Sequence, residues 1–390
     1  MGQDTTQYQL TNRDGLSLYF HIPFCEQKCV YCDFYSIEDR SAQARFVSAL
    51  VREIDLKIAR YPSLEGSAVS TIFFGGGTPS LLTPEELQSI VEAITKHFVL
   101  LPDLEFTLEC NPGTVTESEL ARYRALGANR LSFGVQSFHA DELEWLSRIH
   151  SADEARDAVR FARSSGFDRV SIDLMFALPG QTMQKLAYSL KQAIELETDH
   201  LSVYNLTVEE GTPLNRMVKL HQVNEMPVDE ASEMYEMVQE TLSNAGFVQY
   251  EISNYAKTEA QRCRHNLVYW DGYADYVSFG PSAHEFIGGE RSWNLSSLDR
   301  YLDRIEHGIL PRNNSERPDL RERRIEVLFC GLRSTGVHIS QFNTSFREDL
   351  RSNRELARII NEGLATIEGD ILRLTTTGYR FCDNIVVRLL

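Results

Sequence analysis

Short apolar runs and longer amphipathic stretches alternate along the first half of the chain. Several of the short runs are apolar at consecutive positions, which is typical of strands buried on both faces. The runs predict six strands, at 16–22, 69–75, 104–110, 130–136, 169–178 and 200–208. Helical periodicity predicts helices between them, at 42–60, 84–98, 116–126, 152–165 and 182–196. This order favours an α/β fold with a parallel sheet, either a barrel or a doubly wound sheet.

The second half of the chain has a different pattern. It predicts a helix at 228–245, an extended segment at 247–256, an aromatic-rich loop at 263–293, and charged helices at 316–334 and 348–363. Two short strands around Gly369-Asp370 and a final helix complete the region and resemble a small winged-helix unit. We therefore expect two domains, an α/β domain at 1–295 and a small C-terminal winged-helix-like α+β domain at 296–390.

The charge balance narrows the range of partners. Acidic residues outnumber basic ones by 56 to 39 among 390 residues, which gives a formal net charge of −17. Such a chain repels a polyanion on average, so we do not expect nucleic acid as a partner.

The amino-terminal segment and the hydropathy of the chain bear on its location. The sequence begins with no basic and apolar leader pattern, and no run approaches the roughly eighteen apolar residues that a membrane span needs. We expect a soluble cytoplasmic protein, for which peripheral membrane contact stays open. The hexapeptide MGQDTT at 1–6 fits a loose myristoylation pattern without a polybasic patch, and we interpret the match as coincidence.

Three of the seven cysteines lie close together, as Cys25, Cys29 and Cys32. Seven cysteines over this length are too few for a secreted disulfide framework, so the group indicates a reducing compartment and a metal site. Three thiolates at this spacing can hold three corners of an iron–sulfur cube and leave the fourth iron open. A zinc site is the alternative, and it would need a fourth ligand such as His21 or Cys110.

Polar residues and glycines follow the other predicted strands, at the end where parallel barrels collect their reactive groups. GGGTP follows the second strand, Glu109 and Gln136 close the third and fourth, and Asp173 lies in the fifth. Consecutive glycines permit close approach of the backbone to a ligand, although GGGTP by itself could be no more than a tight turn. The sequence therefore predicts a site at this edge of the sheet.

With these motifs identified, the chain resembles a known family. C-x3-C-x2-C after a first strand, with an aromatic residue before the last cysteine, is the signature of radical S-adenosylmethionine (SAM) proteins. HIPFC, KC-x-YCDF, GGGTP, E-x-NP, FGVQSF, R-x-H, IDL-x-x-x-LPG and HNLVYW occur in the order expected for one branch of that family. This branch contains oxygen-independent coproporphyrinogen III oxidase and the HemW heme chaperones. The resemblance extends over nearly the full length and implies a partial (β/α)6 radical SAM barrel.

The resemblance also implies which residues bind cofactors. Cys25, Cys29 and Cys32 would hold a 4Fe-4S cluster whose open iron binds the amino and carboxylate groups of SAM. Tyr19 and Tyr31 would flank the cluster and the SAM. The other residues implied in SAM binding are Gly76, Gly77, Thr78, Glu109, Gln136, Arg148 and Asp173.

Four of these residues have more specific expected roles. Glu109 and Gln136 would bond the ribose hydroxyls of SAM. Arg148 would neutralise the SAM carboxylate, and Asp173 would bind the ribose or orient Arg148. Taken without the resemblance, carboxylates and arginines at a barrel end are as consistent with simple ion pairing.

The aromatic-rich loop contains a candidate heme ligand. His265 begins HNLVYW, which matches a motif associated with heme binding in HemW-type chaperones, and a neutral imidazole can serve as an axial heme ligand. The resemblance thus implies His265 as the heme ligand, with Cys263 as the alternative.

Phe34 separates the possible functions. The oxidase has a fourth cysteine, in C-x3-C-x2-C-x-C, where this chain has Phe34. A phenyl ring cannot act as a thiol, so this departure counts against decarboxylation while three thiolates still suffice for the cluster. We expect a heme chaperone that delivers heme to apoproteins, with no catalytic residue assigned. The alternatives are the oxidase, a radical SAM methyltransferase and a zinc-stabilised structural protein.

Overall fold

The structure is a computed structural model that describes residues 15–390. The hexapeptide MGQDTT lies outside these residues. The strands are β1 (Leu16–Ile22), β2 (Ala68–Gly76), β3 (Val99–Cys110), β4 (Arg130–Gln136), β5 (Arg169–Phe176), β6 (His200–Asn205), β7 (Val248–Gln249), β8 (Asn254–Ala256), β9 (Tyr276–Phe279), β10 (His284–Ile287), β11 (Glu290–Asn294), β12 (Arg312–Glu316), β13 (Val337–His338), β14 (Ala365–Glu368) and β15 (Ile371–Leu374).

The helices of the described chain are α1 (Gln43–Arg60), α2 (Pro84–His97), α3 (Glu117–Ala125), α4 (Ala140–Trp145), α5 (Ala152–Ser164), α6 (Met183–Glu195), α7 (Pro213–Lys219), α8 (Val228–Asn244), α9 (Arg264–Asp271), α10 (Leu298–Glu306), α11 (Leu320–Leu332), α12 (Ile339–Phe346), α13 (Arg354–Asn361), α14 (Thr376–Tyr379) and α15 (Cys382–Leu389). The six predicted strands and the helices predicted between them are all present, with ends that differ by a few residues at most positions. No helix among residues 15–390 is both long enough and apolar enough to cross a membrane.

The chain divides into two compact units. The first contains the residues up to Leu174 together with Leu206–Glu225 and Asp275–Arg317. The second contains Met175–Asn205, Met226–Ala274 and Pro318–Leu390. The boundary at 296 between two independently folding domains stays a prediction.

The sheet of the first unit is mainly parallel. Strands β1 to β5 are neighbours in chain order, and each adjacent pair is parallel. β9 pairs with the free side of β1 in parallel, and β10, β11 and β12 continue from it as antiparallel neighbours. Within the described part of this unit the sheet is open, which agrees with the expectation of a partial barrel.

A row of stacked phenylalanines forms the centre of this sheet. Phe20 on β1 stacks on Phe74 of β2 at a centroid distance of 4.7 Å and on Phe279 of β9 at 4.8 Å. Phe74 in turn stacks on Phe106 of β3 at 5.5 Å. All four rings are buried. Each such pair contributes about 0.5–1.5 kcal/mol beyond its burial, so the row stabilises the packing of β1, β2, β3 and β9 against one another.

The second unit contains two small antiparallel arrays. β8 pairs with β6 on one side and with β7 on the other. The last segment folds β13, β14 and β15 into a three-stranded antiparallel sheet covered by α11 to α15, around a core that includes Leu328, Phe342, Ile359, Leu372 and Ile385. β14 and β15 flank Gly369-Asp370, so the small C-terminal α+β arrangement expected from the sequence is confirmed.

The prediction of a loop at 263–293 was wrong. This segment contains helix α9 and the strands β9, β10 and β11. The helix was missed because its N-cap residue, Cys263, makes no side-chain capping bond, and because its eight residues are mostly aromatic and polar. It ends at Gly272, which has a left-handed conformation with φ of 73°.

Candidate functional site

The three clustered cysteines lie on one loop between β1 and α1, and the loop is closed at its base. The Cys25 N–H donates to the carbonyl of Ile37 at 2.9 Å, and the Ile37 N–H donates to Pro23 at 2.7 Å. Within the loop, the Cys32 N–H donates to the Cys29 carbonyl at 3.2 Å. Backbone bonds thus hold the three thiols on a short, defined segment.

The GGGTP segment at the end of β2 forms hydrogen bonds with the start of this loop. The N–H groups of Gly77 and Thr78 donate to the carbonyls of Ile22 and Phe24, at 2.8 and 2.7 Å. A Cβ on Gly77 would lie 2.6 Å from the Phe24 carbonyl oxygen, so only glycine permits this approach. The Thr78 hydroxyl also donates to the Cys25 sulfur at 3.6 Å. Sequence reasoning assigned the glycines to a ligand and missed that they hold the cysteine loop.

Gly76 makes room for the ring of His21. Gly76 has φ of 103°, and a Cβ there would lie 2.5 Å from the His21 ring. His21 Nε2 donates to the Tyr35 carbonyl at 2.8 Å, which leaves Nδ1 to accept from the Tyr19 hydroxyl at 3.1 Å. Burial lowers the pKa of His21 to about 4, so the ring is neutral and both nitrogens are used. This bond ties the far end of the cysteine loop to β1.

Arg148 reaches the same loop from the segment after α4. Its Nη1 donates to the Cys29 sulfur at 3.3 Å, and its Nη2 donates to the Gly134 carbonyl at 2.6 Å. Its Nε is buried and has no hydrogen-bond partner among the described residues. Tyr31 also forms a hydrogen bond with Cys29. Burial is the main cause that raises the pKa of its phenol, and the nearby Cys29 is the second. The guanidinium therefore contacts the Cys29 sulfur while its Nε–H donor still lacks a partner among the described residues.

The electrostatics of the thiols fit a metal cluster. Burial raises the pKa of Cys25 and raises that of Cys32 to about 11, so without a metal both are protonated. Donors from Thr78 and Arg148 are nevertheless directed at the sulfurs, an arrangement suited to thiolates. The donor set therefore fits an iron–sulfur cluster, whose usual ligands are thiolates.

The fourth ligands considered for a zinc site are engaged elsewhere. Both nitrogens of His21 are used, as described above, and the buried Cys110 thiol contacts the Leu108 carbonyl at 3.7 Å. Residues 15–390 contain no group of three or more His, Cys, Asp or Glu side chains placed to hold a single metal ion. All seven cysteines are free thiols.

Two acidic side chains, Glu109 on β3 and Asp173 on β5, lie close enough to influence each other. Asp173 accepts from the Ser132 hydroxyl, at 3.1 and 3.3 Å to its two oxygens. Burial and the nearby charge of Asp173 raise the pKa of Glu109 to about 8, and a hydrogen bond from the Gly76 N–H opposes them. Glu109 therefore holds a proton over much of the neutral range.

Gln136 has a strained backbone at the end of β4. Its φ is 68°, and the register with β5 shifts between Gly134 and Gln136. A Cβ on Gly134 would lie 3.0 Å from Gln136 Nε2, so glycine makes room for the amide group. A left-handed conformation outside glycine costs about 1–2 kcal/mol, and such strain concentrates at functional sites. No pattern in the sequence shows it.

The structure brings most of the predicted cofactor residues together in the first unit. A Cβ on Gly75 would lie 3.0 Å from Glu109 and 3.2 Å from Tyr19, so these side chains border the same space. The residues in this unit are the three clustered cysteines, Tyr19, Tyr31, Gly76, Gly77, Thr78, Glu109, Gln136, Arg148 and Asp173. His265 belongs to the second unit.

His265 is on a helix and is fully enclosed. It lies in the first turn of α9 with 0% of its surface exposed, and its Nε2 is 2.8 Å from the Tyr269 hydroxyl. Burial lowers the pKa of His265 to about 3, so the imidazole is neutral. The alternative ligand Cys263 is also buried, and its N–H donates to the Tyr250 hydroxyl at 3.1 Å.

Trp270 anchors the other side of α9. Its side chain forms a hydrogen bond with the buried carboxyl of Glu251. Burial raises the pKa of this carboxyl to about 7, although the hydrogen bonds that it accepts act in the opposite direction. The Ser253 N–H donates to the same carboxyl at 2.9 Å. Trp270 therefore fixes α9 to its neighbours, while Tyr269 is 38% exposed.

Comparison with known proteins gives one consistent result. The family model of the Radical SAM superfamily matches residues 19–193. The chain is 38% identical over 340 residues to heme chaperone HemW of Bacillus subtilis, covering 86% of this chain and 88% of that one. It is 40% identical over 272 residues to heme chaperone HemW of Escherichia coli, with 69% of each chain covered. Among solved structures, coproporphyrinogen III oxidase (HemN) from Escherichia coli shares the fold, with a TM-score of 0.82, 24% identity, and coverage of 96% and 89%.

Proposed function

The chain belongs to the HemW family of the radical SAM superfamily, and from this premise we propose that it is a heme chaperone that binds heme and delivers it to apoproteins. The observation that supports the proposal most directly is the similarity over most of the chain to relatives named heme chaperone HemW. We place this activity in the cytoplasm, where a reducing environment keeps the cysteines free. The fold shared with the oxidase does not by itself separate the two functions.

We propose that Cys25, Cys29 and Cys32 are the protein ligands of a 4Fe-4S cluster. Their common loop, and the donors directed at the sulfurs by Thr78 and Arg148, support the assignment. A cluster held in this way supplies an open iron to which the amino and carboxylate groups of SAM bind. Gly76 and Gly77 contribute by holding the loop in place.

The acidic edge of the sheet is the proposed SAM site. Glu109 and Asp173 offer oxygens to the ribose hydroxyls, and Gln136 offers both a donor and an acceptor. The unpartnered Nε of Arg148 gives a donor for the SAM carboxylate. Tyr19 and Tyr31 border the cluster loop and SAM with aromatic surface.

Heme binding at His265 requires the structure around its ring to open. Its imidazole is fully buried, and the Tyr269 hydroxyl occupies the position next to Nε2. Iron can reach this nitrogen only after that hydrogen bond has been exchanged, through movement of α9 or of the Tyr269 side chain, which is 38% exposed. The neutral imidazole is already in the protonation state that binds iron.

Heme titration of full-length variants tests the ligand. We expect the wild-type protein to form a one-to-one complex with a Soret band, and His265→Ala to lose it. Cys263→Ser is the matched control, because Cys263 is the other buried candidate heme ligand and lies at the N-cap of the same helix. This variant should retain the complex. Loss of the band in Cys263→Ser with retention in His265→Ala would assign the thiol instead.

An anaerobic assay with coproporphyrinogen III, SAM and a reductant separates the chaperone from the oxidase. We expect no decarboxylation above the background without protein. Robust decarboxylation would assign the protein to the oxidase function. Brown absorption and iron content of the same sample show whether the cluster is present, so an inactive but unloaded protein is recognised.

A further inference from the structure

A cavity of about 520 Å³ lies in the first unit, beside the last turn of α1 and the segment that follows α10. Its walls include apolar residues such as Leu56 and Ile309. They also hold four cations and one carboxylate. These charged residues are Lys57, Arg60, Arg304, Arg312 and Glu285.

The single carboxylate does not neutralise this group. Glu285 is already bonded by Lys57 at 2.7 Å and by the Ser292 hydroxyl at 2.8 Å. Lys57 is only 3% exposed, so this pair is part of the interior. Among the cations that remain, Arg312 pairs with Glu290 at 3.0 Å on the protein surface.

Arg60 and Arg304 have no acidic partner among the described residues. The Arg304 guanidinium makes one long bond, from Nη2 to the Leu310 carbonyl at 3.4 Å, and its buried Nε has no partner there. The Arg60 guanidinium lies 5.1 Å from the centre of the Tyr61 ring. Two guanidinium groups at one cavity therefore have donors available for an anion.

The cations converge on the Tyr61 phenol. Burial and, more weakly, the charge of Glu285 raise the pKa of Tyr61, while the charges of Arg312, Lys57 and Arg60 oppose that rise. Three cations from the end of α1 and from β12 are thus close enough to one hydroxyl to act on it together. This concentration of positive charge is found in a chain whose net charge is −17.

We propose that this cavity binds a small phosphate-bearing molecule, with its phosphate held by Arg60 and Arg304 and its remainder against the apolar wall. Guanidinium groups match the geometry of phosphate oxygens and form charge-assisted pairs of hydrogen bonds with them. None of the residues that line the cavity belongs to the cysteine loop or to α9, and the proposal does not rest on heme binding.

Calorimetric titration at constant ionic strength tests the site, using full-length protein with pyrophosphate, inorganic phosphate and ADP as probes. We expect saturable binding of at least one probe. Arg60→Gln and Arg304→Gln should each weaken it by about tenfold, the effect of losing one charge-assisted contact. Tighter binding of ADP than of pyrophosphate supports an organic phosphate with its remainder on the apolar wall, and the reverse order would contradict the role given to that wall.

Arg45→Gln is the matched control. It removes one cation from α1, but its partner Glu306 is on α10 and neither residue lines the cavity. Binding should be unchanged in this variant. Absence of saturable binding, or equal weakening in Arg45→Gln, would overturn the proposal. Arg60 is exposed at a helix end, so Arg60→Gln retains the fold and tests the site even if Arg304→Gln does not fold.

Discussion

Glu109, a residue of the proposed SAM site, should make SAM binding sensitive to pH. Burial and the charge of Asp173 raise its pKa from an ordinary value of 4.5 to about 8. SAM has a positive sulfonium, and its ribose hydroxyls donate hydrogen bonds, so both features favour the ionised carboxylate. Binding should therefore release a proton from Glu109, and the affinity for SAM should fall as the pH falls below 8.

The size of the effect follows from the pKa. With a pKa of about 8, roughly one Glu109 in eleven is ionised at pH 7 and about ten in eleven at pH 9. If SAM binds only the ionised form, its Kd should decrease by about tenfold between these values, or about 1.4 kcal/mol. A carboxyl with the ordinary pKa would be ionised throughout and would add nothing to the change that the SAM amino group itself causes.

Isothermal titration of the anaerobic, cluster-loaded protein between pH 6.5 and 9 measures this dependence. Buffers of different ionisation enthalpy report the proton released on binding. Glu109→Gln should remove the part of the pH dependence of Kd that comes from the protein. Only the part that comes from titration of the SAM amino group should then remain. Asp173→Asn should move the midpoint to lower pH, because the charge that raises the Glu109 pKa is gone. Equal slopes in wild type and Glu109→Gln would refute the reasoning.

Three further predictions concern other parts of the molecule. Tyr269→Phe removes the hydroxyl next to His265 Nε2 and should tighten heme binding by about fivefold, as heme titration would show; weaker binding would contradict it. Phe34 is 61% exposed, so Phe34→Cys should leave the melting temperature unchanged, and we expect no decarboxylation of coproporphyrinogen III; activity in this variant would show that one thiol separates the two functions. Gly76→Ala should destabilise the protein by about 1–3 kcal/mol more than Gly66→Ala in urea unfolding, because both have left-handed backbones but only Gly76 contacts the His21 ring; equal losses would show that this contact is unimportant.

The strands could be predicted from the sequence because their signal is local. Runs such as LSLYFHI and RLSFGVQ alternate apolar and polar residues with a period of two, and β1 and β4 have the predicted bounds. The cysteine loop and the polar ends of β3 to β5 could be placed for the same reason, since they follow the strands directly. The roles proposed for their residues stay predictions.

Contacts between distant segments could not be predicted. Glu53 and Lys57 on α1 have the pattern of a solvent-facing helix side, yet both are buried. Glu53 accepts bonds from the Gly280 N–H, the Asn294 amide and the Tyr301 hydroxyl, all more than 200 positions later in the chain. The packing of Gly76 on His21 is likewise a property of two strands brought side by side.

The burial of His265 limits how tightly the protein can bind heme iron at this residue. The apparent affinity equals the intrinsic affinity multiplied by the fraction of molecules in which the His265 ring is accessible. If about one molecule in a hundred is open, binding is about a hundredfold weaker than the iron–imidazole bond alone would give. Closure of the structure around His265 then favours release, so residues that pack α9, such as Trp270 and Glu251, can adjust retention and transfer of heme while His265 stays the same.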